Sequence, residues 1–222
     1  MQWHEHARRE EERYRDGEAR LGNAADADAR QKQLTRMGNA ASGAALAHLM
    51  QGDRAAAREW FARAAERYRE SWDGAPAGSW GRPIGAIKAR ILAGDEGGAS
   101  AAARWTLDAD ARESDSPIGR YAATLALLVL GEDVEARVTA DTLRDRDDFP
   151  VAVADALATI AAGDRAGYLL AVEDVLESFE QREAYLEDLP VADTVLVLQA
   201  LARARDVAVD LPASPLLPAA TG

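Results

Sequence analysis

Apolar positions recur at helical spacing along most of this chain. The clearest run is Ala57, Phe61, Ala64, Tyr68 and Trp72, with Trp60 alongside and Arg54, Arg58, Arg63 and Arg67 on the other faces. That is the pattern of an amphipathic helix with one face against a core. Two further runs, residues 118–130 (IGRYAATLALLVL) and 151–162 (VAVADALATIAA), are apolar on nearly every side. They are expected at the centre of the fold, with Leu125, Leu128, Leu157 and Ile160 in the core. The first segment, about 2–21, is the reverse. Its QWHEHARREEERYRDGEARL holds only Trp3, Tyr14 and Leu21 for a core face, so it must dock or fray. A long second helix, capped by Asp26 or Asp28, runs towards Met50 and is softened by Gly38 and Gly43.

Four copies of one mark separate these runs: Gly52-Asp53, Gly94-Asp95, Gly131-Glu132 and Gly163-Asp164, lying 42, 37 and 32 residues apart. Glycine supplies the left-handed residue that ends a helix, and the acid beside it suits the first turn of the next. Other starts are read at Pro83, about Gly97, Ser116-Pro117, Val134, Asp148 with Pro150, and Pro190. The helix after Asp164 puts Tyr168, Val172, Val175, Leu176 and Phe179 on one face. No segment reads as a strand. The expectation is an all-α fold of about ten helices in stacked antiparallel helix-turn-helix hairpins, a tetratricopeptide-like α-solenoid. It is read as one elongated domain over 1–222. Residues 73–83 (DGAPAGSWGRP) are the place for a sub-division, and 205–222 an extended tail whose Leu211, Leu216 and Leu217 lie over the last helices.

Composition narrows the function classes. With 222 residues and 48% apolar content the chain can bury a real core. It has no cysteine, which excludes disulfides, thiolate metal sites and a cysteine nucleophile. No segment approaches the roughly 20 apolar residues of a membrane span, and the opening MQWHEHARREEERYR is charged where a signal peptide is apolar. A cytoplasmic protein is expected. The net charge of −12 argues against nucleic acid and anionic membranes as partners. Only Lys32 and Lys88 among the 26 basic residues are lysine, the usage of a GC-rich genome. A salt-rich habitat would also select an acidic surface, so acidity alone identifies no partner.

Candidate chemistry is sparse. His4 and His6 are two apart and point away from each other on a helix, and His48 sits within the apolar ALAHLM at the edge of the core. No histidine stands beside a serine nucleophile, and no phosphate-binding glycine loop is present. The expectation is therefore a protein without catalytic residues, metal or cofactor. Two binding features remain. In Gly78-Ser79-Trp80-Gly81-Arg82-Pro83, Arg82 stands at a helix N-terminus, where a guanidinium and open N–H groups suit a carboxylate or phosphate and Trp80 could stack. The alternative is that Ser79 or Arg82 caps the helix while Trp80 plugs a gap between hairpins. Further on, Glu173, Glu177, Glu180 and Glu187 recur at helical spacing with Asp174, Glu183 and Asp188. Like charges four apart cost a helix a few tenths of a kcal/mol. The stripe either docks a basic partner or is a solvated face.

Residues 155–218 carry a more specific likeness. Ala162-Gly163-Asp164 ends one helix, Leu198 with Leu201-Ala202-Arg203 marks a Leu/Ala-rich helix, Val207 and Val209 follow, and Ser214-Pro215-Leu216-Leu217-Pro218 closes the segment. This resembles the C-terminal part of the Imm49 family of bacterial immunity proteins. The resemblance implies an all-helical protein that neutralises a toxin, here through a protein partner such as a basic toxin domain, without catalysis of its own. It carries no binding residue with it, and upstream the likeness is to helical hairpins in general. The rival reading is a helical-repeat adaptor or regulatory scaffold that binds a peptide or subunit. The oligomeric state stays open.

Overall fold

A computed structural model describes residues 2–219. Among them the fold is all-α, as the spacing predicts. Ten helices occur and no strand: α1 (Trp3–Leu21), α2 (Ala27–Met50), α3 (Arg54–Trp72), α4 (Gly81–Ala93), α5 (Glu96–Asp108), α6 (Pro117–Leu130), α7 (Asp133–Arg144), α8 (Val151–Ala162), α9 (Arg165–Glu180) and α10 (Asp193–Arg203). Short 3-10 turns lie at Ala111–Glu113 and Leu186–Asp188. No helix among the described residues is long and apolar enough to cross a membrane. Boundaries differ from the sequence reading by a turn or less. Pro83 is the third residue of α4 rather than its first, and the last helix opens at Asp193.

All four Gly-acid marks fold alike. Gly52, Gly94, Gly131 and Gly163 have φ of +82°, +67°, +76° and +67°. In each, the N–H of the acid returns to the carbonyl five residues back: Asp53 to His48 and Asp95 to Arg90 at 3.0 Å, Glu132 to Leu127 and Asp164 to Thr159 at 2.9 Å. These are Schellman closures, which satisfy carbonyls that a helix end leaves open. The carboxylates then part company. Asp53 and Asp164 accept from the N–H groups of Ala56 and Gly167, both at 3.0 Å, and cap the following helix. Asp95 instead accepts from Arg90 and Glu132 from Arg112, both at 2.8 Å. At α2 the cap is Asp26, accepting from the Ala29 N–H at 2.7 Å, while Asp28 meets Gln31 and Lys32.

The chain divides into two compact units. The first holds the chain up to Asp95, residues 184–191 and the chain from Ala213; the second holds Glu96–Glu183 and Ala192–Pro212. The interruption at 73–83 lies inside the first. Of the tail read at 205–222, the part to Pro212 belongs to the second unit and the rest to the first, and 220–222 lie outside the described residues. Leu216 is buried and belongs to the first unit.

In the first unit each of α1–α4 packs on its chain neighbour. The joint between α2, α3 and α4 is a ring set between two glycines. A Cβ on Gly38 would stand 2.8 Å from one edge of the Tyr68 ring, and a Cβ on Gly85 would stand 2.6 Å from the other. Gly38 and Gly43 therefore do not soften α2, which runs unbroken; they admit neighbours.

In the second unit α6 touches α5, α7 and α8, and α8 touches α6, α7, α9 and α10. The two helices that read as apolar all round are central, and Leu125, Leu128, Leu157 and Ile160 are at most 2% exposed. Arg205 donates to the Leu128 carbonyl at 2.6 Å and pairs with Asp133, so a residue beyond α10 closes the end of α6. Tyr168 donates to Gln199 at 3.2 Å, and Gln199 donates to the Val209 carbonyl at 2.6 Å. Burial pushes the Tyr168 hydroxyl well above its ordinary range.

Candidate functional site

Helix α9 is two-faced. Tyr168, Ala171, Val172, Val175, Leu176 and Phe179 are buried, and the Asp164 cap fixes the turn from which this face is counted. The opposite face carries Leu170, Glu173, Asp174 and Glu177 at spacings of three and four, with Glu180 continuing from Glu173 and Glu177. All are exposed, Leu170 by 66%. Several carboxylates elsewhere in the second unit are answered by arginines: Glu132 by Arg112, Asp133 by Arg205, Asp141 by Arg137 and Arg144. Among the described residues Glu173, Asp174 and Glu177 have no such cation, and Glu177 accepts only from Gln181, at 2.9 Å. Such a face offers uncompensated negative charge beside one apolar side chain.

Glu187 does not belong to it. Helix α9 ends at Glu180, so counting at helical spacing past that point fails. Glu187 sits in the Leu186–Asp188 turn with φ of 56°, within the first unit. Glu183 and Asp188 are exposed but likewise lie off the helix. The carboxylate of Glu187 accepts from Arg13 of α1 and, at 3.2 Å, from Asn39 of α2, and its carbonyl accepts from Arg9 at 2.5 Å.

The Trp80 loop takes its structural form. Trp80 is 7% exposed, not a surface aromatic, and its ring lies 5.5 Å from that of Trp72. It occupies the N-cap position of α4 without a side-chain cap. Arg82 donates through Nη2 to Gln31, while its Nε is buried without a hydrogen-bond partner, and burial holds the guanidinium below its ordinary value.

Sequence reasoning missed one cluster. Glu10 is fully buried and accepts from Arg9 Nε at 2.8 Å and Arg13 Nη1 at 2.7 Å. Burial raises its carboxyl above the ordinary value, against the opposing pull of Arg13 and Arg9. For Arg13, burial would lower the guanidinium, but hydrogen bonds and charge from Glu187 and Glu10 leave it raised. The only signal in the sequence was Gly43, whose missing side chain makes room for Glu10: a Cβ there would stand 3.0 Å from Glu10 Cγ. The histidines are occupied locally. His48 Nε2 is 2.8 Å from Glu11, and the His6 ring tilts against Trp3 at 5.6 Å.

Among the described residues, large apolar side chains left open lie in the second unit: Leu170, Ile118, Val151, and the pair Val134 and Val138 one turn apart on α7, 82% and 63% exposed. Compared with protein-family models, curated proteins and solved structures, the chain matches none.

Proposed function

We propose that this chain is a non-enzymatic helical-repeat protein of the immunity type, acting in the cytoplasm by binding and neutralising a protein toxin. The observation that carries the binding part of this reading is the outer face of α9, where Leu170 stands beside Glu173, Asp174, Glu177 and Glu180. The carboxylates of Glu173, Asp174 and Glu177, which no cation answers, steer a basic partner and set its orientation, and an exposed leucine gives that partner an apolar anchor. The immunity part rests on the resemblance of residues 155–218 to the Imm49 family. Trp80 and Arg82, turned into the first unit, are not anchors in this proposal.

The test is to recover the partner by pull-down, identify it, and measure association and dissociation for the wild type and for Glu173→Lys with Glu177→Lys. Charge reversal is expected to slow association about tenfold at low salt and to flatten its salt dependence, with the helical signal unchanged. Unaltered association would make this face a solubility feature. Co-expression with the recovered partner then separates the two roles: rescue of growth supports immunity, and a harmless partner supports the adaptor reading.

A further inference from the structure

We infer that residues 184–191 form a releasable latch on α1, with Glu187 as its bolt. Helix α1 has little apolar hold of its own. Its buried residues are Ala7, Glu10, Tyr14 and Gly17, and Tyr14, edge-on to Trp60 at 5.3 Å, is the one large side chain among them that is not an acid. The remaining attachment is polar: His48 of α2 meets Glu11, Arg67 of α3 donates to Tyr14 and Glu18, and a further set converges on Glu187. Arg13 pairs with its carboxylate, Asn39 donates to the other carboxylate oxygen, and Arg9 donates to its carbonyl. One residue of a distant segment thus joins α1 to α2.

The receiving groups are held from behind. Glu10 accepts from both Arg9 and Arg13, fixing the two guanidinium groups. Tyr68 of α3 donates to the Asn39 carbonyl oxygen at 2.9 Å, which leaves the Asn39 amide nitrogen facing Glu187. The bolt, by contrast, is delivered against local preference. Glu187 and Asp188 have φ of 56° and 53°, left-handed at two successive non-glycine residues, a conformation that persists only where surrounding contacts over-determine it. Here those contacts are the three donors to Glu187. Withdrawing it relaxes the turn and removes the ties of Arg9 and Arg13 together, which gives this end of α1 two discrete states. The released α1 uncovers Met37 and Gly43, where Gly17 and Glu10 now pack, and presents Arg9 and Arg13 to outside carboxylates.

Hydrogen exchange on the full chain, read by mass spectrometry, tests this. In Glu187→Gln the α1 amides are expected to exchange about tenfold faster while those of α3 keep their protection. The wild type should show the same selective loss when salt is raised to about 1 M, where the Debye length is about 3 Å. Asp188→Gly, which accepts the left-handed backbone without strain, should slow exchange in α1. Equal acceleration of α1 and α3, or no change in α1, or faster α1 exchange in Asp188→Gly, would overturn the latch.

Discussion

In the first unit the large side chains sealed from solvent are Phe61, Met37, Ile87 and the acid Glu10, whereas in the second they are Tyr168 and a set of aliphatics that includes Leu125, Leu128, Leu143, Leu157 and Leu198. The joints differ accordingly. Helices of the first unit close by setting glycine against a ring or an acid, at Gly38 and Gly85 on Tyr68 and at Gly43 on Glu10. Helices of the second unit close by interlocking branched chains on α6 and α8. A glycine joint has no room for an added atom, and an aliphatic joint suffers most from a removed one. The second unit also carries every large apolar side chain left open among the described residues. The first unit has turned Trp60, Phe61, Tyr68 and Trp80 inward.

The largest effect is expected where the aliphatic joint is hollowed. Leu157 is fully buried on α8, and Leu157→Ala should cost about 2–5 kcal/mol in a urea titration followed by circular dichroism. A loss below about half a kcal/mol, the size usual for surface substitutions, would break the distinction between the units. Next comes Gly85→Ala. In an open helix position this change stabilises by about 1 kcal/mol, but here the new methyl meets the Tyr68 ring from one side while Gly38 blocks its retreat on the other. A loss of about 1–3 kcal/mol is expected instead. Gly81→Ala, with nothing within 4 Å of the added atom, is the control, and a matching gain at Gly85 would show that the ring yields.

The smallest effect depends on pH. Because the folded chain holds the Glu10 carboxyl above its ordinary 4.5, it binds that proton more tightly than the unfolded chain does. The stability this contributes is complete below 4.5 and is lost as pH rises through the raised folded value. Compared with Glu10→Gln, which does not titrate, the wild type should therefore gain melting temperature as pH falls from about 7 to about 4. A difference that stays flat or runs the other way would mean that Arg9 and Arg13, not burial, govern this acid.

The two units were also unequally legible in the sequence. Turns that repeat a chemical requirement could be read directly: each Gly-acid mark needs a left-handed residue, and each became a helix end. Central helices could be read too, because α6 and α8 lack a polar face. The exposed acids of α9 followed from periodicity, but only as far as the helix itself, which is why Glu187 was misplaced. Burial of Trp80 was hidden because an aromatic in a Gly/Pro-rich loop has the same local sequence whether it faces solvent or Trp72. Glu10 was hidden for a related reason. It is one of five acids in the first 16 residues, and what singles it out is the room left by Gly43 on α2.

The separation of Glu187 from α1 along the chain also sets an order of events during synthesis. Arg9 meets the Glu187 carbonyl across 178 residues, and at about 5–20 residues per second the ribosome needs roughly 9–36 s to make them. From the end of α4 at Ala93 until that point, the nascent first unit has its four helices but neither of its returning segments. Asn39 and the outer edge of Arg13 must then be satisfied by water or by a transient companion. The unit that is translated first is the one completed last.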